Sequence, residues 1–341
     1  MIRKTTIKDV AKEAGVSIGT VSYVINNSAP VSADTQKKIV SAIKKLGYHP
    51  SSIAQGMAKR RTNLIGLAVP QNHIGAFSDY MMLDLLRGIA DVVTSRKFHL
   101  ILDFQENEKN NCSYMEMYNS KTIDGMILMS PRRFDRNFEK LIDAQFPFVI
   151  LNSSIQQPSC CCVDVDNVHC GYLATKHLFE LGHRRIGFIA PDDLQYYFSF
   201  DRMEGYRRAY LEAGIAIDED LVQVPPKGKM GAGAFAVNKL LGLAEPPTAI
   251  IAGSHCILES ALTELKRREI GIGKDLGLIG IDNSPLCTWV KPQIDAVAIP
   301  VYEIGKEAAE MVIDQIEKGP SSPRRIILPG VLIKRESAVS V

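Results

Sequence analysis

The chain has 341 residues, of which 46% are hydrophobic and 23% are charged, and it carries a formal net charge of +2. This length predicts two or three domains, each large enough to bury its own core. No apolar run approaches the length of about 20 residues that a membrane-spanning helix needs, and the N-terminus has no apolar leader, so we expect a cytoplasmic protein without a membrane partner.

The charge is distributed unevenly along the chain. Residues 1–61 contain 11 Lys and Arg against 3 Asp and Glu, a net charge of +8, which leaves −6 for the remainder. A basic head on a mildly acidic body is typical of a protein whose head meets a polyanion such as DNA. A solubilising charged face would give the same asymmetry, so charge alone leaves both interpretations open.

Three short helices are predicted in the basic head. Apolar residues at helical spacing indicate a first helix, capped by Thr6 with Asp9 and ended by a glycine. Ser17 caps a second helix almost at once, and a third helix begins near Ser32 and ends at Gly47. Two helices joined by a tight turn and braced by a third form a helix-turn-helix unit.

The second helix is the predicted DNA reader, because the N-terminal part of this helix enters the major groove in such motifs. Its inward face is apolar, which leaves Ile18, Gly19, Ser22, Tyr23 and Asn26 facing outwards. The predicted DNA contacts in the three helices are Thr6, Ser17, Ile18, Gly19, Thr20, Ser22, Tyr23, Asn26 and Ser32.

Three segments of the head, from Thr6 to Asn27, from Val31 to Thr35 and from Leu46 to Pro50, closely resemble the head of the LacI/GalR family of bacterial repressors. The resemblance implies a transcriptional regulator, in most cases a repressor, that binds a palindromic double-stranded DNA operator as a homodimer or a larger assembly. Tyr23 stands where many members have an Arg that reads guanine, so the operator sequence is not carried over.

Residues 51–62 are polar and basic, and they are too short to hold a helix alone, since isolated helices below about 12 residues are marginal in water. A flexible linker is the simplest interpretation. The resemblance instead implies a hinge helix that forms on the operator and inserts Met57 into the minor groove. Ile53, Ala54 and Lys59 are predicted to contact DNA beside it.

Past residue 62 the sequence alternates short apolar runs with longer helical stretches. The predicted strands are 64–69, 100–104, 125–129, 148–151, 186–190, 249–252 and 278–281. Continuous apolar strands separated by helices indicate parallel sheets that are covered on both faces. We therefore predict an α/β protein with a helix-turn-helix head, a hinge segment and a body of two doubly wound parallel-sheet lobes.

The seven cysteines show no paired spacing, so neither a zinc ribbon nor a disulfide framework is indicated. The run Cys160–Cys162 resembles a metal or redox site. Alternate residues of a strand point to opposite faces, however, and a buried or edge strand is the favoured interpretation. We predict no metal site.

The resemblance continues through the body, at Ile123–Leu128, Leu178–Ile186, Arg202–Tyr206, Ile279–Asn283 and Leu332–Arg335. The body of this family looks like a periplasmic sugar-binding protein, with the chain crossing between the lobes more than once. The predicted divisions are 1–50 for the head, 51–62 for the hinge, 63–160 plus 291–320 for the N-lobe, and 161–290 plus 321–341 for the C-lobe.

The resemblance also implies a small effector, most often a sugar or a nucleobase-like compound, in the cleft between the lobes. On this reading Arg202 clamps ligand oxygens, Asp282 accepts hydroxyl hydrogen bonds, and Phe77 and Trp289 offer apolar faces. Ser254 is predicted to join them. Simpler roles stay open, because Arg202 could pair with a surface acid, Asp282 could cap a turn, and Phe77 could belong to the core.

Two segments depart from the family pattern. Ser254-His255 stands where members usually have Asn-Asp, and the segment from Gln293 to Pro300 lacks two threonines and a glutamine that members usually have. The effector is therefore unusual, or it is absent and control passes to a protein corepressor. The sequence leaves both open.

Two other classes of protein compete with the regulator. The segment Gly231–Ala236 imitates the glycine fingerprint of an NAD-dependent enzyme, but it follows a polar loop rather than a clear strand. The body alone would suit a secreted solute-binding protein, although the basic head and the missing leader argue against this. We expect no enzyme, and hence no catalytic residue and no cofactor.

Overall fold

The computed structural model describes residues 5–26, 29–48, 61–69, 80–104, 113–133, 137–152, 160–192, 194–225, 231–319 and 322–341. The chain forms two compact units, Met1–Asn63 and Leu64–Val341. Within the described ranges, no helix has both the length and the apolar character needed to cross a membrane.

The first unit contains the three predicted helices, namely α1 (Ile7–Ala14), α2 (Ile18–Asn26) and α3 (Ala33–Leu46). The carboxylate of Asp9 accepts hydrogen bonds from the backbone N–H and the hydroxyl of Thr6, at 2.8 and 2.7 Å. Ser17 accepts from the backbone of Thr20 at 3.0 Å and so caps α2, and the hydroxyl of Ser32 caps α3. These caps fix where each helix begins, and the predicted helix-turn-helix fold is confirmed.

The helices of the head enclose a small apolar core. Val10, Val21 and Ile39 are fully buried, one from each helix. Gly15 ends α1 with φ at 65°, a left-handed conformation that glycine adopts without strain. The tight turn that follows brings α2 across α1 and leaves the other face of α2 open to solvent.

The second unit is built on two six-stranded sheets. In the first sheet all neighbouring strands are parallel, in the order β11-β5-β4-β3-β1-β2. Its strands are β1 (Leu64–Val69), β2 (His99–Phe104), β3 (Gly125–Met129), β4 (Phe148–Leu151), β5 (Cys162–Val165) and β11 (Arg325–Leu328). The helices packed with it are α4 (Tyr80–Ser95), α5 (Ser113–Asn119), α6 (Phe138–Asp143) and α12 (Val301–Lys318).

The second sheet has the order β12-β10-β9-β8-β6-β7, and only β12 runs antiparallel to its neighbour. Its strands are β6 (Ile186–Ile189), β7 (Val222–Gln223), β8 (Ala249–Ala252), β9 (Gly277–Ile281), β10 (Asp295–Ala298) and β12 (Val331–Ile333). Its helices are α7 (Asn167–Glu180), α8 (Tyr197–Glu212), α9 (Ala232–Leu241), α10 (His255–Arg267) and α11 (Leu286–Trp289), with a 3-10 turn at Glu219–Leu221. The predicted fold class, a helical head followed along the chain by a body of two parallel-sheet lobes, is confirmed.

Strand pairing corrects the predicted lobe boundaries at three strands. β5 and β11 were assigned to the C-lobe but pair in the first sheet, where Cys162 lies opposite Ile150 and Arg325. β10 was assigned to the N-lobe but pairs in the second sheet, where Val297 lies opposite Ile281. The chain therefore crosses between the lobes after Val165, after Ala298 and after Leu328.

The cysteine run lies in an interior part of the first sheet. Cys160 and Cys161 precede β5 and are buried in two different apolar clusters, and Cys162 is the first residue of the strand. Burial raises the pKa of Cys160 to about 11 and that of Cys162 to about 12, so both thiols stay protonated at neutral pH. These residues act as small apolar side chains, in agreement with the favoured interpretation.

Candidate DNA interface and ligand cavity

The open face of α2 presents two large side chains to solvent. Ile18 is 45% exposed and Tyr23 is 49% exposed, whereas Val21, between them, is fully buried. Gly19 is also exposed and leaves room for close approach. An apolar group, a gap and a phenol at the start of a helix can together meet base edges in a major groove.

The polar residues of α2 are engaged with one another. The side-chain amide of Asn26 donates to the hydroxyl of Ser22 at 3.1 Å, and within the described residues its Oδ1 is buried without a hydrogen-bond partner. Both side chains are half-buried, and a contact of either one with a base would compete with this hydrogen bond. Thr6 and Ser32 are exposed at the starts of α1 and α3, where backbone N–H groups favour a phosphate.

Five predicted site residues lie outside the described residues. They are Ile53, Ala54, Met57 and Lys59 of the hinge, and Phe77 of the body. Their roles stay predictions.

The second unit contains a cavity of about 220 Å³ where the two sheets face each other. Its lining comes from the carboxyl ends of parallel strands, the expected place for a ligand in open α/β sheets. Ser130 follows β3, Asn152 follows β4, Ser254 follows β8, Asp282 follows β9, and Ile299 follows β10. Both lobes therefore contribute directly to one cavity.

Three of these lining residues have a left-handed backbone. Ser130, Asn152 and Asp282 have φ values of 45°, 52° and 89°. Such conformations cost on the order of 1–3 kcal/mol for residues other than glycine, and they concentrate at functional sites. Asn and Asp tolerate them better than most residues, which accounts for the residue types at two of the three positions.

Arg202 of α8 is the central cation of the cavity. Its Nε donates to Asn167 Oδ1 at 3.0 Å, its Nη1 to the carbonyl of Gly253 at 2.7 Å, and its Nη2 to Asp282 Oδ1 at 3.2 Å. Among the described residues, these three bonds leave two of the five guanidinium N–H groups for a ligand. Arg202 is buried, so its predicted alternative role, pairing with a surface acid, is not what the structure shows.

Close helix packing holds Arg202 in place. A Cβ atom on Gly171 of α7 would collide with the carbonyl oxygen of Arg202, and one on Gly205 of α8 would collide with the carbonyl oxygen of Val168. The two helices therefore approach backbone to backbone. Asn167, the first residue of α7, is anchored in turn by donating to Asp164 Oδ1 at 3.1 Å.

Asp282 lies between two basic groups. Its Oδ2 accepts from the backbone N–H of His255 at 3.4 Å and lies 3.7 Å from His255 Nδ1. Burial opposes ionisation, but Arg202 and His255 hold the pKa of Asp282 below its ordinary value. Asp282 is therefore an ionised carboxylate in the wall of the cavity, rather than merely a cap for the following turn.

The remaining wall of the cavity is largely apolar. The first lobe supplies Met81, Met82 and Leu85 from α4, and the start of α12 supplies Val301 and Ile304. A mostly apolar cavity with a few convergent polar groups is the usual form of a small-molecule site.

Contacts beside the cavity join the two lobes directly. Arg132, after β3, forms a β-bridge with Tyr196, and the backbone N–H of Arg133 donates to the carbonyl of Gln195 at 2.8 Å. The hydroxyl of Tyr197 donates to the carbonyl of Arg133 at 3.0 Å. A ligand in the cavity would therefore lie directly beside contacts that join the two lobes.

The structure brings together three of the predicted effector residues, Arg202, Ser254 and Asp282. Trp289 is not in the cavity lining: it is 66% exposed and packs edge-on against Tyr80, with ring centroids 5.5 Å apart. Its predicted ligand contact is thus not supported by its position. Sequence reasoning missed the following lining residues: Ser130, Asn152, Asp192, Tyr196, Phe198 and Cys256.

Asp295 lies outside the cavity lining, although the segment around it departs from the family pattern. Its Oδ2 accepts from the backbone N–H groups of Ser337 and Ala338 at 2.9 and 3.1 Å, and its Oδ1 lies 3.1 Å from His177 Nε2. This departure therefore anchors the C-terminal segment to β10. It does not bear on the choice between a small effector and a protein corepressor.

The glycine segment that imitates a dinucleotide fingerprint has a packing role. Gly233 in the first turn of α9 lies against α10, where a Cβ atom would collide with the carbonyl oxygen of Ile257. Its N–H donates to Ser260 Oγ at 2.9 Å. The small residue is thus needed for contact between two helices.

Each of the two units matches a known protein family. Residues 6–51 match the model of bacterial regulatory proteins of the lacI family, and residues 175–338 match a periplasmic binding protein-like domain. The chain is 31% identical to catabolite control protein A of Priestia megaterium, over 97% of this chain and 98% of that protein. A solved complex of the transcriptional regulator CelR with cellobiose is 31% identical, has a TM-score of 0.75, and covers 98% of this chain and 100% of that one. A lac repressor dimer bound to operator and the anti-inducer ONPF is 20% identical over 99% of this chain and 100% of that one, and with a TM-score of 0.84 it shares the fold.

Proposed function

Because this chain belongs to the lacI family of bacterial regulatory proteins, we propose that it is a repressor that binds a palindromic operator as a homodimer and responds to a small effector, most often a sugar in this family, held in the cavity between its lobes. It is a DNA-binding transcriptional regulator and not an enzyme. We place its action in the cytoplasm, where its DNA is.

The exposed face of α2 supports the operator part of the proposal. One α2 offers Ile18, Tyr23 and a few small residues, too few contacts for a useful specificity in a genome. Two heads related by a two-fold axis read two half-sites, which makes the operator a near-palindrome. Contacts with DNA phosphates would then position each head, and they are expected from three residues at helix starts, Thr6, Ser17 and Ser32. The hinge residues are expected to enter the minor groove between the half-sites.

One observation carries the effector part: Arg202 is buried at the cavity beside the ionised carboxylate of Asp282, and its bonds to described residues leave two N–H groups for a ligand. A donor and an acceptor side by side match vicinal oxygens of a small polar molecule. Ser254 adds a hydroxyl, and the apolar wall packs against the nonpolar face of a sugar ring. The relative solved with cellobiose supports a sugar.

A thermal-shift screen of sugars, sugar phosphates, sugar acids, nucleosides and nucleobases tests the effector part. A ligand raises stability by RT ln(1 + [L]/Kd), which is about 2.7 kcal/mol at a hundredfold excess over Kd. The shift is expected to disappear in Arg202→Lys, which keeps the charge but loses the planar fork. Arg208→Lys is the matched control, because Arg208 lies on the same helix but is exposed and pairs with Glu212.

Coupling between the ligand and DNA completes the test. A true effector must change operator affinity by the same factor by which operator changes its own affinity. A ligand that stabilises the protein but leaves operator affinity unchanged would show that the cavity is not a control site. A screen without any ligand would favour the protein corepressor.

A further inference from the structure

The polar part of the cavity has an unusual charge arrangement, in which one carboxylate lies between two basic groups. Arg202 Nη2 is 3.2 Å from Asp282 Oδ1, and His255 Nδ1 is 3.7 Å from Asp282 Oδ2. Among the described lining residues the fourth charged side chain is Asp192, which is half-buried and so more screened by solvent.

His255 carries the second positive charge of this group. Burial disfavours its cation, but the carboxylate of Asp282 and the nearby Cys256 raise its pKa to about 11. The group formed by Arg202, Asp282 and His255 therefore has a net charge of +1 at neutral pH.

Each oxygen of Asp282 already has one basic partner, so each keeps one lone pair rather than two for a ligand hydroxyl. His255 Nε2 lies 3.1 Å from Cys256 Sγ, and sulfur is a weak acceptor. An anionic oxygen that enters the cavity is a stronger acceptor for this N–H and for the two remaining N–H groups of Arg202.

We propose that His255 is a specificity-determining residue that makes the cavity select an effector with an anionic group, a carboxylate or a phosphate, over the corresponding neutral sugar. The inference rests on the proposed function, whose cavity it describes. The cavity wall also contains the apolar side chains of Met81, Met82 and Leu85, which lower the local polarity. Low polarity strengthens the attraction between an anionic ligand and the net positive charge of this group.

Matched sugars test the proposal by isothermal titration calorimetry with the full chain. The probes are glucose with glucose 6-phosphate and glucuronate, galactose with galactose 6-phosphate and galacturonate, and cellobiose with cellobionate. We expect at least one anionic member to bind about tenfold or more tightly than its neutral partner. The phosphate and carboxylate arms identify which anion the cavity prefers.

Three variants of His255 assign the preference to this side chain. His255→Gln is expected to weaken binding of the anionic probe about tenfold and to leave binding of its neutral partner unchanged. His255→Lys is expected to keep the preference for the anion, because it keeps the positive charge. His255→Asp is expected to abolish binding of the anion. His169→Gln is the matched control, since His169 is exposed on α7. Circular dichroism confirms that each variant is folded.

The pH dependence of the preference for the anion distinguishes a charged His255 from one that only packs in the cavity wall. Because the pKa of His255 is raised, the preference for the anion is expected to persist from about pH 6.5 to about pH 8.5, where an ordinary His is neutral. Besides His255, the titratable or charged side chains of the described cavity lining are those of Asp282, Arg202, Cys256, Asp192 and Tyr196.

Three outcomes would overturn the inference. One is tighter binding of the neutral members, another is a preference that His255→Gln leaves intact, and the third is a preference lost between about pH 6 and pH 7, as for an unperturbed His. Each of these leaves the proposed effector site standing. No binding by any probe, together with an empty thermal-shift screen, overturns both the inference and the proposed function.

Discussion

Replacing Asp282 by Ala is expected to destabilise the body of the protein by about 3–5 kcal/mol, the usual effect of removing one partner from a buried ion pair. The side chains of Arg202 and Asp282 are both 7% exposed, so water compensates only in part for the lost carboxylate. Arg202 keeps Asn167 and the carbonyl of Gly253, but its Nη2 loses an acceptor, as does the backbone N–H of His255. The left-handed backbone at φ 89° adds to the penalty for Ala.

Asp282→Asn separates the charge from the shape. An amide keeps an acceptor for Arg202 and tolerates the left-handed backbone, so a smaller loss of about 1–3 kcal/mol is expected. The folded pKa of Asp282 is lowered, so its stabilising effect is present above the ordinary Asp pKa of about 3.9 and is lost as the pH falls through the folded value. The difference in free energy of unfolding between the wild type and Asp282→Ala is therefore expected to shrink below about pH 4.

Urea unfolding followed by tryptophan fluorescence measures these differences. Trp289 is the single tryptophan of the chain and lies in the second lobe, shortly after Asp282, so its signal reports on the body rather than the head. A change of less than about 0.5 kcal/mol in Asp282→Ala would be typical of a surface substitution and would refute the buried pair. Equal losses in the Ala and Asn variants would refute the roles given to the retained acceptor and to the backbone conformation.

Three further predictions concern the reading helix, the helix contact behind Arg202 and the lining of the cavity. Tyr23→Ala is expected to relax base preference by about 1–3 kcal/mol at particular positions in a binding-site selection, and an unchanged selected site would exclude Tyr23 as a reader. Gly171→Ala is expected to destabilise the body by about 1–3 kcal/mol in urea unfolding through overpacking of α7 on α8, and an unchanged midpoint would contradict this contact. Among the described cysteines Cys256 is the exposed one, so iodoacetamide is expected to label it before the others of that set, and a bound effector is expected to slow its labelling. Peptide mass spectrometry measures this, and labelling of Cys256 that a saturating effector does not slow would place the ligand away from α10.

The predicted strands of the body lie within a residue of the observed ones where the sequence is a continuous apolar run, as at Leu64–Val69 and Ala249–Ala252. The cysteine run at the start of β5 was interpreted as a buried or edge strand, but β5 was not counted among the strands of the lobes. β10 was missed, because Asp295 interrupts its apolar run. The lobe boundaries were placed wrongly for the same reason, since these short strands decide where the chain crosses.

The site was predictable in part. Arg202 and Asp282 were identified by resemblance, but their pairing across 80 residues follows only from the packing of α8 beside the end of β9. A simple signal was available for the missed residues, because Ser130 and Asn152 directly follow apolar strands. The placing of Trp289 failed because a large aromatic side chain suggests a ligand contact but does not reveal which way a short helix turns it.

A ligand in the cavity is proposed to control the affinity of the head for DNA. Fluorescence anisotropy of a selected operator measures this directly, with the full chain, in the presence and absence of the ligand found in the screen. We expect the ligand to change operator affinity by about 5- to 150-fold in the wild type and the Arg208→Lys control, and not in Arg202→Lys. Equal operator affinity with and without a ligand that saturates the cavity would contradict it.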